Sequence, residues 1–314
     1  MGLVGSEMCI RDSFKGHKDK NMKLKEKFDS AIARFVNAWS ILFMKNSTFE
    51  HMKKLMYAEH DQSLKTFEPR PGSNLNTNPH WRSSDDLRIF AEQFYSQNGE
   101  EGIILEIFRR IGVTNRIFVE FGVESGVECN TRYLAESLDW SGVYFEPVAD
   151  SYEKLQQLWQ ENPKIQTRKA AITSSNFESE LEAAEVPKEF DLLSIDIDSN
   201  DYWVWKSLNN WSPRVVIIEY NPFHDPPKKW VMKEDPDFVW NATTYFGASF
   251  TSLYLLGHSK GYQLVGTDPM GVNMFFIRND TFNELFLDPV LHYFFQPFAW
   301  GPPHPFLDGP HEVI

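Results

Sequence analysis

The polar side chains of this chain best suited to chemistry are carboxylates, and they recur at one kind of place, the end of a short apolar run. The stretch Phe118-Val119-Glu120-Phe121-Gly122-Val123-Glu124-Ser125-Gly126 passes from apolar to acidic and glycine-containing, and Glu146 ends the next run. Asp196, Asp198 and Asp201 follow a third, and Glu219, Asn221 and His224 a fourth. Carboxylates in such positions accept hydrogen bonds from hydroxyls, take up a proton or ligate a hard cation. Asp196, Asp198 and Asp201, with Glu219 and Asn221 on the neighbouring strand end, are an expected oxygen-donor set for Mg²⁺ or Mn²⁺, Asp198, Asp201 and Glu219 foremost, since adjacent carboxylates repel unless a cation or donors intervene. The same Asp198 is equally suited to cap a helix starting at Ser199, with Asp201 in its first turn. Asp196, Asp198 and His224 are the candidates for removing a proton from a substrate, a histidine serving as base near neutral pH.

These residues need elements that bring their chain positions together. Between 89 and 280 the pattern alternates helix and strand. Helices are expected at 100–110, 130–138, 151–159, 177–184 and 248–259, and strands at 116–121, 142–145, 165–170, 190–197, 214–220, 262–266 and 273–278. Short, nearly continuous apolar strands alternating with helices predict an α/β fold: a Rossmann-like, mostly parallel sheet with helices on both faces. The last two strands are too close for a crossover and must be antiparallel. In such a sheet the ligand lies beyond the carboxyl ends of the strands, where the strand order reverses, and the carboxylates above fall at four such ends.

The flanks read differently. Residues 1–13 have neither a basic n-region nor an apolar core and are expected to be an unstructured leader. Residues 14–67 carry Phe28, Ile32, Phe35, Val36, Trp39, Leu42 and Phe43 at helical spacing, an amphipathic helical arm expected to pack on the main domain or on a second subunit in a homo-oligomer, with a membrane-surface role as the alternative. Residues 68–88 form a linker. The Pro-rich, aromatic stretch 222–240 reads as a lid or substrate loop, with Tyr245 on the substrate side, and the tail 281–314 is expected to wrap the domain. Trp203, Trp205 and Trp211 are assigned to the core, and His258 to a helix C-terminus.

Which nucleotide-like ligand suits this sheet follows from charge. A dinucleotide pyrophosphate wants a Gly-x-Gly-x-x-Gly turn free of negative charge, whereas this loop carries Glu120, Glu124 and Glu128 with its glycines four apart. S-adenosylmethionine has no phosphate and bears a sulfonium and an ammonium, so an acidic loop suits it. Glu120, Gly122, Gly126 and Asp196 are its expected contacts, with Glu146, about 20 residues on, at the ribose. The residues of this segment resemble the FkbM-type S-adenosylmethionine-dependent methyltransferases. The likeness covers residues 92–280 and includes Ser96-Gln97-Asn98-Gly99-Glu100, residues 118–126, Glu146-Pro147, Asp191-Leu192-Leu193-Ser194-Ile195-Asp196 and the terminal strand 273–278. The resemblance implies a class I methyltransferase fold acting on hydroxyls of small molecules, sugars among them. After Asp196 the chain reads Ile197-Asp198-Ser199-Asn200-Asp201-Tyr202-Trp203, where the family more often has a Val-Glu-Gly-type turn.

Composition narrows the partners. With a net charge of −13 and no basic stripe, a nucleic-acid partner is not expected, leaving a small molecule or glycan as substrate. The most apolar stretch, 31–44, contains Arg34 and Asn37, so no transmembrane segment is expected. Two cysteines, Cys9 and Cys129, provide no disulfide framework and point to the cytoplasm. Two rival readings accompany methyl transfer: a metal-dependent hydrolase or transferase built on residues 196–201, and a non-catalytic, methyltransferase-like binding domain.

Overall fold

The computed structural model of the protein describes residues 86–286, 295 and 305–314. The expected leader, helical arm and oligomer contact, most of the linker and half of the tail lie outside the described residues.

Seven strands form the main sheet: β1 (Ile117–Phe121), β2 (Ser141–Phe145), β3 (Ile165–Arg168), β4 (Glu189–Ile195), β5 (Ser212–Glu219), β7 (Tyr262–Thr267) and β8 (Asn273–Arg278). A two-residue strand β6 (Val231–Met232) pairs with β9 (His311–Glu312) in a separate small sheet. The main order is β3-β2-β1-β4-β5-β8-β7. Strands β1 to β5 are parallel, and β8 runs antiparallel to both β5 and β7. This is the expected Rossmann-like α/β sheet with a reversed final strand. From β1 the chain steps outward through β2 to β3, then returns to add β4 and β5 on the other side. The order therefore reverses between β1 and β4, where the βα loops part and leave a crevice.

Strand parity sets what each face buries, because successive side chains point to opposite sides. Val119 and Phe121 belong to the core cluster on one face, where Phe121 meets Phe177 edge-on at 5.2 Å. That face is covered by α4 (Phe177–Ala183), α5 (Asp201–Ser207) and α6 (Phe250–Ser259), through Leu181, Val204, Trp205, Leu253 and Leu256. On the other face Phe118 packs on Tyr144, and Tyr144 stacks on Trp159 of α3 (Ala149–Trp159) at 5.6 Å. Two further helices, α1 (Glu100–Ile111) and α2 (Arg132–Ser137), flank β1 in sequence. Trp205 and Trp211 are core residues as expected, and Trp203 is half-buried with its indole N–H donating to the Met232 carbonyl at 2.8 Å. His258 sits in the last turn of α6.

At the amino ends of the strands the loop before β1 is tied to β4 and β5. Asp191, fully buried, accepts from the backbone N–H groups of Thr114, Asn115 and Arg116, from the Thr114 hydroxyl at 2.7 Å and from Arg214 at 2.9 Å. Those donors hold its carboxyl below the usual range despite burial. Arg214 also donates to the Gly112 and Ile111 carbonyls that close α1.

The stretch read as a lid is a pinned flap. Asn221, fully buried, donates to the Thr244 and Phe246 carbonyls at 2.9 and 2.8 Å. Asn200 exchanges hydrogen bonds with the Asp235 backbone at 2.8 and 3.0 Å. The tail residues 305–314 lie along this flap. The Tyr245 hydroxyl donates to the Pro310 carbonyl at 2.6 Å, Lys233 N–H reaches the same carbonyl, and Thr244 N–H reaches Pro305. Tyr245 thus anchors the tail, packs on Trp230 and does not line the cleft described below. No helix among the described residues is long and apolar enough to cross a membrane.

Candidate active site

A cleft of about 580 Å³ lies over the β1–β4 switch point. Its floor comes from the ends of β1, β4 and β5 (Glu120, Gly122, Asp196, Asp198 and Glu219), and one wall from the β1–α2 loop, including Glu124 and Glu128. The N-terminal turn of α1 adds Ser96 and Glu100, the start of β8 adds Asn273, and the flap adds Trp240 and Phe246. Among the described residues, seven carboxylates line the cleft, and no Lys, Arg or His does.

The backbone of the β1 loop is set by Gly122. Its φ is 84°, and a Cβ there would lie 1.4 Å from the Asp196 carbonyl oxygen, so only glycine lets the β1 and β4 ends approach this closely. Gly126, expected at the cofactor, does not line the cleft. Its φ is 75° in the turn closed by Gly126 N–H to the Val123 carbonyl at 2.8 Å, and an added Cβ would meet Leu155 of α3. It seats the loop on α3.

Each carboxylate has its own duty. Glu120, only 4% exposed, accepts from the backbone N–H groups of Asn130 and Thr131 at 2.8 and 3.1 Å and from the Thr131 hydroxyl at 2.6 Å, tethering the start of α2 to β1. Burial pushes its carboxyl up, and these donors offset part of that. Glu146 is buried beside the loop and accepts Val148 N–H at 2.8 Å, and it does not line the cleft. Asp201 accepts Ile197 N–H at 2.9 Å and Ser199 N–H at 3.0 Å, one with each oxygen, so it braces the turn before α5. Asp196, Asp198 and Glu219 come together: each offers an oxygen, and the three lie within 4.8 Å of one another. The trio is thus part of the expected metal set, without Asp201 and Asn221. Burial raises Asp196 and Glu219 well above the carboxylate range, and the neighbouring acids add to the rise. Asp198 holds a left-handed backbone, φ 55°, uncommon outside glycine and frequent at functional loops.

His224 lies in the flap outside the cleft lining. It packs on Trp230 at 4.2 Å, with Nδ1 3.0 Å from Lys228 Nζ and Nε2 buried without a partner. Burial, then the Lys228 and His311 charges, push it down to about 4, while Asp308 opposes them. A histidine with a lower pKa folded than unfolded is protonated first in the unfolded chain. Its stabilising contribution is therefore present above about pH 6.5 and lost as pH falls toward 4. His224→Gln is expected to remove about 2 kcal/mol of the stability loss between pH 7 and pH 5. Urea unfolding at the two pH values checks this, and an unchanged difference between the proteins would mean that His224 is not buried neutral.

Sequence reasoning missed Glu100, Asn273, Trp240 and Phe246. The Ser96–Glu100 motif carried a signal, since Ser96 Oγ accepts Glu100 N–H and Glu100 accepts Asn98 N–H at 2.8 Å, a capped turn that fixes a carboxylate. Asn273 carried none, because its place depends on β8 inserting beside β5.

No family model and no curated protein matches the chain. Among solved structures, the N-terminal domain of EvdMO1 with SAH bound is 12% identical, with a TM-score of 0.39 over 63% of this chain and 93% of that one. The fibrillarin pre-rRNA processing protein of Methanococcus jannaschii is 12% identical, with a TM-score of 0.37 over 58% and 76%. A SAM dependent methyltransferase from Aquifex aeolicus is 10% identical, with a TM-score of 0.35 over 63% and 95%. Likenesses at this level carry no functional weight, and the chemistry of the cleft rests on its own residues.

Proposed function

We propose that the protein is an S-adenosylmethionine-dependent methyltransferase of the FkbM type, acting on a hydroxyl of a small molecule or glycan. The observation that carries this reading is the charge of the cleft. Among the described residues, seven acidic and no basic side chains line the Rossmann-like switch point, which disfavours a pyrophosphate and suits a ligand with a sulfonium and an ammonium. Such a cofactor, when bound, supplies an electrophilic methyl group. The chain's own residues do the rest: Gly122 keeps the floor open to close approach, and Glu120 holds the β1 loop to the start of α2. Asp196 and Asp198 face the acceptor, where a carboxylate takes the proton that the hydroxyl must lose. Positioning accounts for most of the remaining barrier in an in-line displacement.

Titration calorimetry and thermal unfolding with S-adenosylhomocysteine and with NAD test the reading. S-adenosylhomocysteine at about 100 times its dissociation constant is expected to add about 2.7 kcal/mol of stability, and NAD nothing. Absence of adenosyl binding sinks the proposal. Cation binding without it would favour the metal-dependent hydrolase or transferase, and binding of neither the non-catalytic domain.

A further inference from the structure

The trio Asp196, Asp198 and Glu219 has a fourth neighbour of a different kind. Asn273 lies opposite Glu219 in the β5–β8 register, and paired residues of antiparallel strands project from the same face. It is 2% exposed and lines the cleft. Its amide nitrogen is committed, donating to Glu100 Oε1 at 2.9 Å, whereas its Oδ1 is buried and meets no donor. Glu219 Oε2 is likewise buried without a donor. Buried acceptors left unmatched are costly, and natural proteins satisfy nearly all of them. Here the two belong to paired residues, Glu219 and Asn273, in a cleft shared with Asp196 and Asp198 whose lining has no cationic side chain among the described residues.

We propose that this corner of the cleft is a binding site for one hard divalent cation, Mg²⁺ or Mn²⁺, held by Asp196, Asp198, Glu219 and the Asn273 side-chain oxygen. All four donors are oxygen, three of them from carboxylates, which is the chemistry such ions select over zinc or copper. A separation of at most 4.8 Å among the carboxylate oxygens is close to the span across an octahedral shell, about 4.2 Å for ligands at about 2.1 Å. Asp201 is excluded because its two oxygens already serve Ile197 and Ser199. Glu100 is excluded because it serves Asn98 and Asn273, and in doing so it orients the Asn273 amide. The inference deepens the methyl-transfer reading of this cleft, since a cation here would fix an acceptor oxygen beside the transferring group, but the ion site itself needs no adenosyl ligand.

The test is a Mn²⁺ titration of the chelator-stripped full chain, with free Mn²⁺ read by electron paramagnetic resonance, and a separate calorimetric titration of the same sample with S-adenosylhomocysteine. One Mn²⁺ per chain is expected. Asp198→Asn and Glu219→Gln are each expected to weaken it by about tenfold or more, and Asn273→Ala by several-fold, while Glu128→Gln, a cleft carboxylate outside the set, leaves it unchanged. Near-UV circular dichroism verifies folding, and protection of the wild type from heat by Mn²⁺ gives a second readout that needs no variant. No saturable Mn²⁺ binding to the wild type, or equal affinity in Asp198→Asn and Glu219→Gln, overturns the site. Adenosyl binding without Mn²⁺ binding removes the cation alone, and the reverse removes methyl transfer while the cation stands.

Discussion

Gly122→Ala is expected to destroy adenosyl-ligand binding and to destabilise the protein by more than about 3 kcal/mol. Two costs add. The first is conformational, because alanine at φ 84° is strained, by about 1–2 kcal/mol. The second is steric. The new methyl group would lie 1.4 Å from the Asp196 carbonyl oxygen and 2.6 Å from its carbon, and backbone on both sides cannot swing aside as a flexible side chain would. Relief requires the β1 and β4 ends to separate, which pulls apart the floor on which Glu120 and Asp196 stand. Gly112→Ala isolates the first cost, since Gly112 has φ 67° and a methyl group there would meet nothing within 4 Å. Thermal unfolding and calorimetry with S-adenosylhomocysteine on both variants make the measurement. Equal stability loss in the two would show that the β1–β4 approach yields freely.

Asp191→Ala is expected to cost about 3–5 kcal/mol without touching the cleft. The substitution leaves Arg214 buried with its charge unmatched, and strips an acceptor from three backbone N–H groups and the Thr114 hydroxyl. Much of the loss belongs to the stranded guanidinium, so Asp191→Ala combined with Arg214→Met should be less damaging than the two single losses summed. Urea unfolding at pH 7 of the four proteins in this cycle gives the coupling. The sign with pH follows from the lowered pKa: Asp191 stabilises above the ordinary carboxylate range, and its contribution fades as pH falls through its folded value. Strict additivity would mean that the ion pair is not a unit.

What was legible in the sequence was periodicity and position along the chain. Apolar runs of strand length separated by helical patterns located all seven strands of the main sheet, and the short link between residues 267 and 273 required the reversed β7–β8 hairpin. Strand ends then nominated Glu120, Asp196, Asp198 and Glu219, which the fold brings to one cleft. Local hydrogen bonding was not legible. Asp201 and Asn221 have the chemistry of ligands and the right strand ends, yet nearby backbone groups occupy both. Gly126 is likewise taken up by packing on Leu155. Lateral strand order was also hidden: nothing in the spacing places Asn273 opposite Glu219, and that pairing supplies the amide oxygen of the cleft.

The pairing of β6 with β9 has a consequence for the order in which the molecule assembles. The flap carrying Trp240 and Phe246 is also held by residues made 65 positions later, through Tyr245 to Pro310, and later still, through Val231 to Glu312. The main sheet, by contrast, is complete once Arg278 has been made. Since domains gather as the chain emerges from the ribosome, the acidic floor and the inner pins of the flap, Asn221 to Thr244 and Phe246 and Asn200 to Asp235, come first, and the tail fastens the aromatic roof only afterwards. A nascent chain stalled between the two would hold its roof by those inner pins alone.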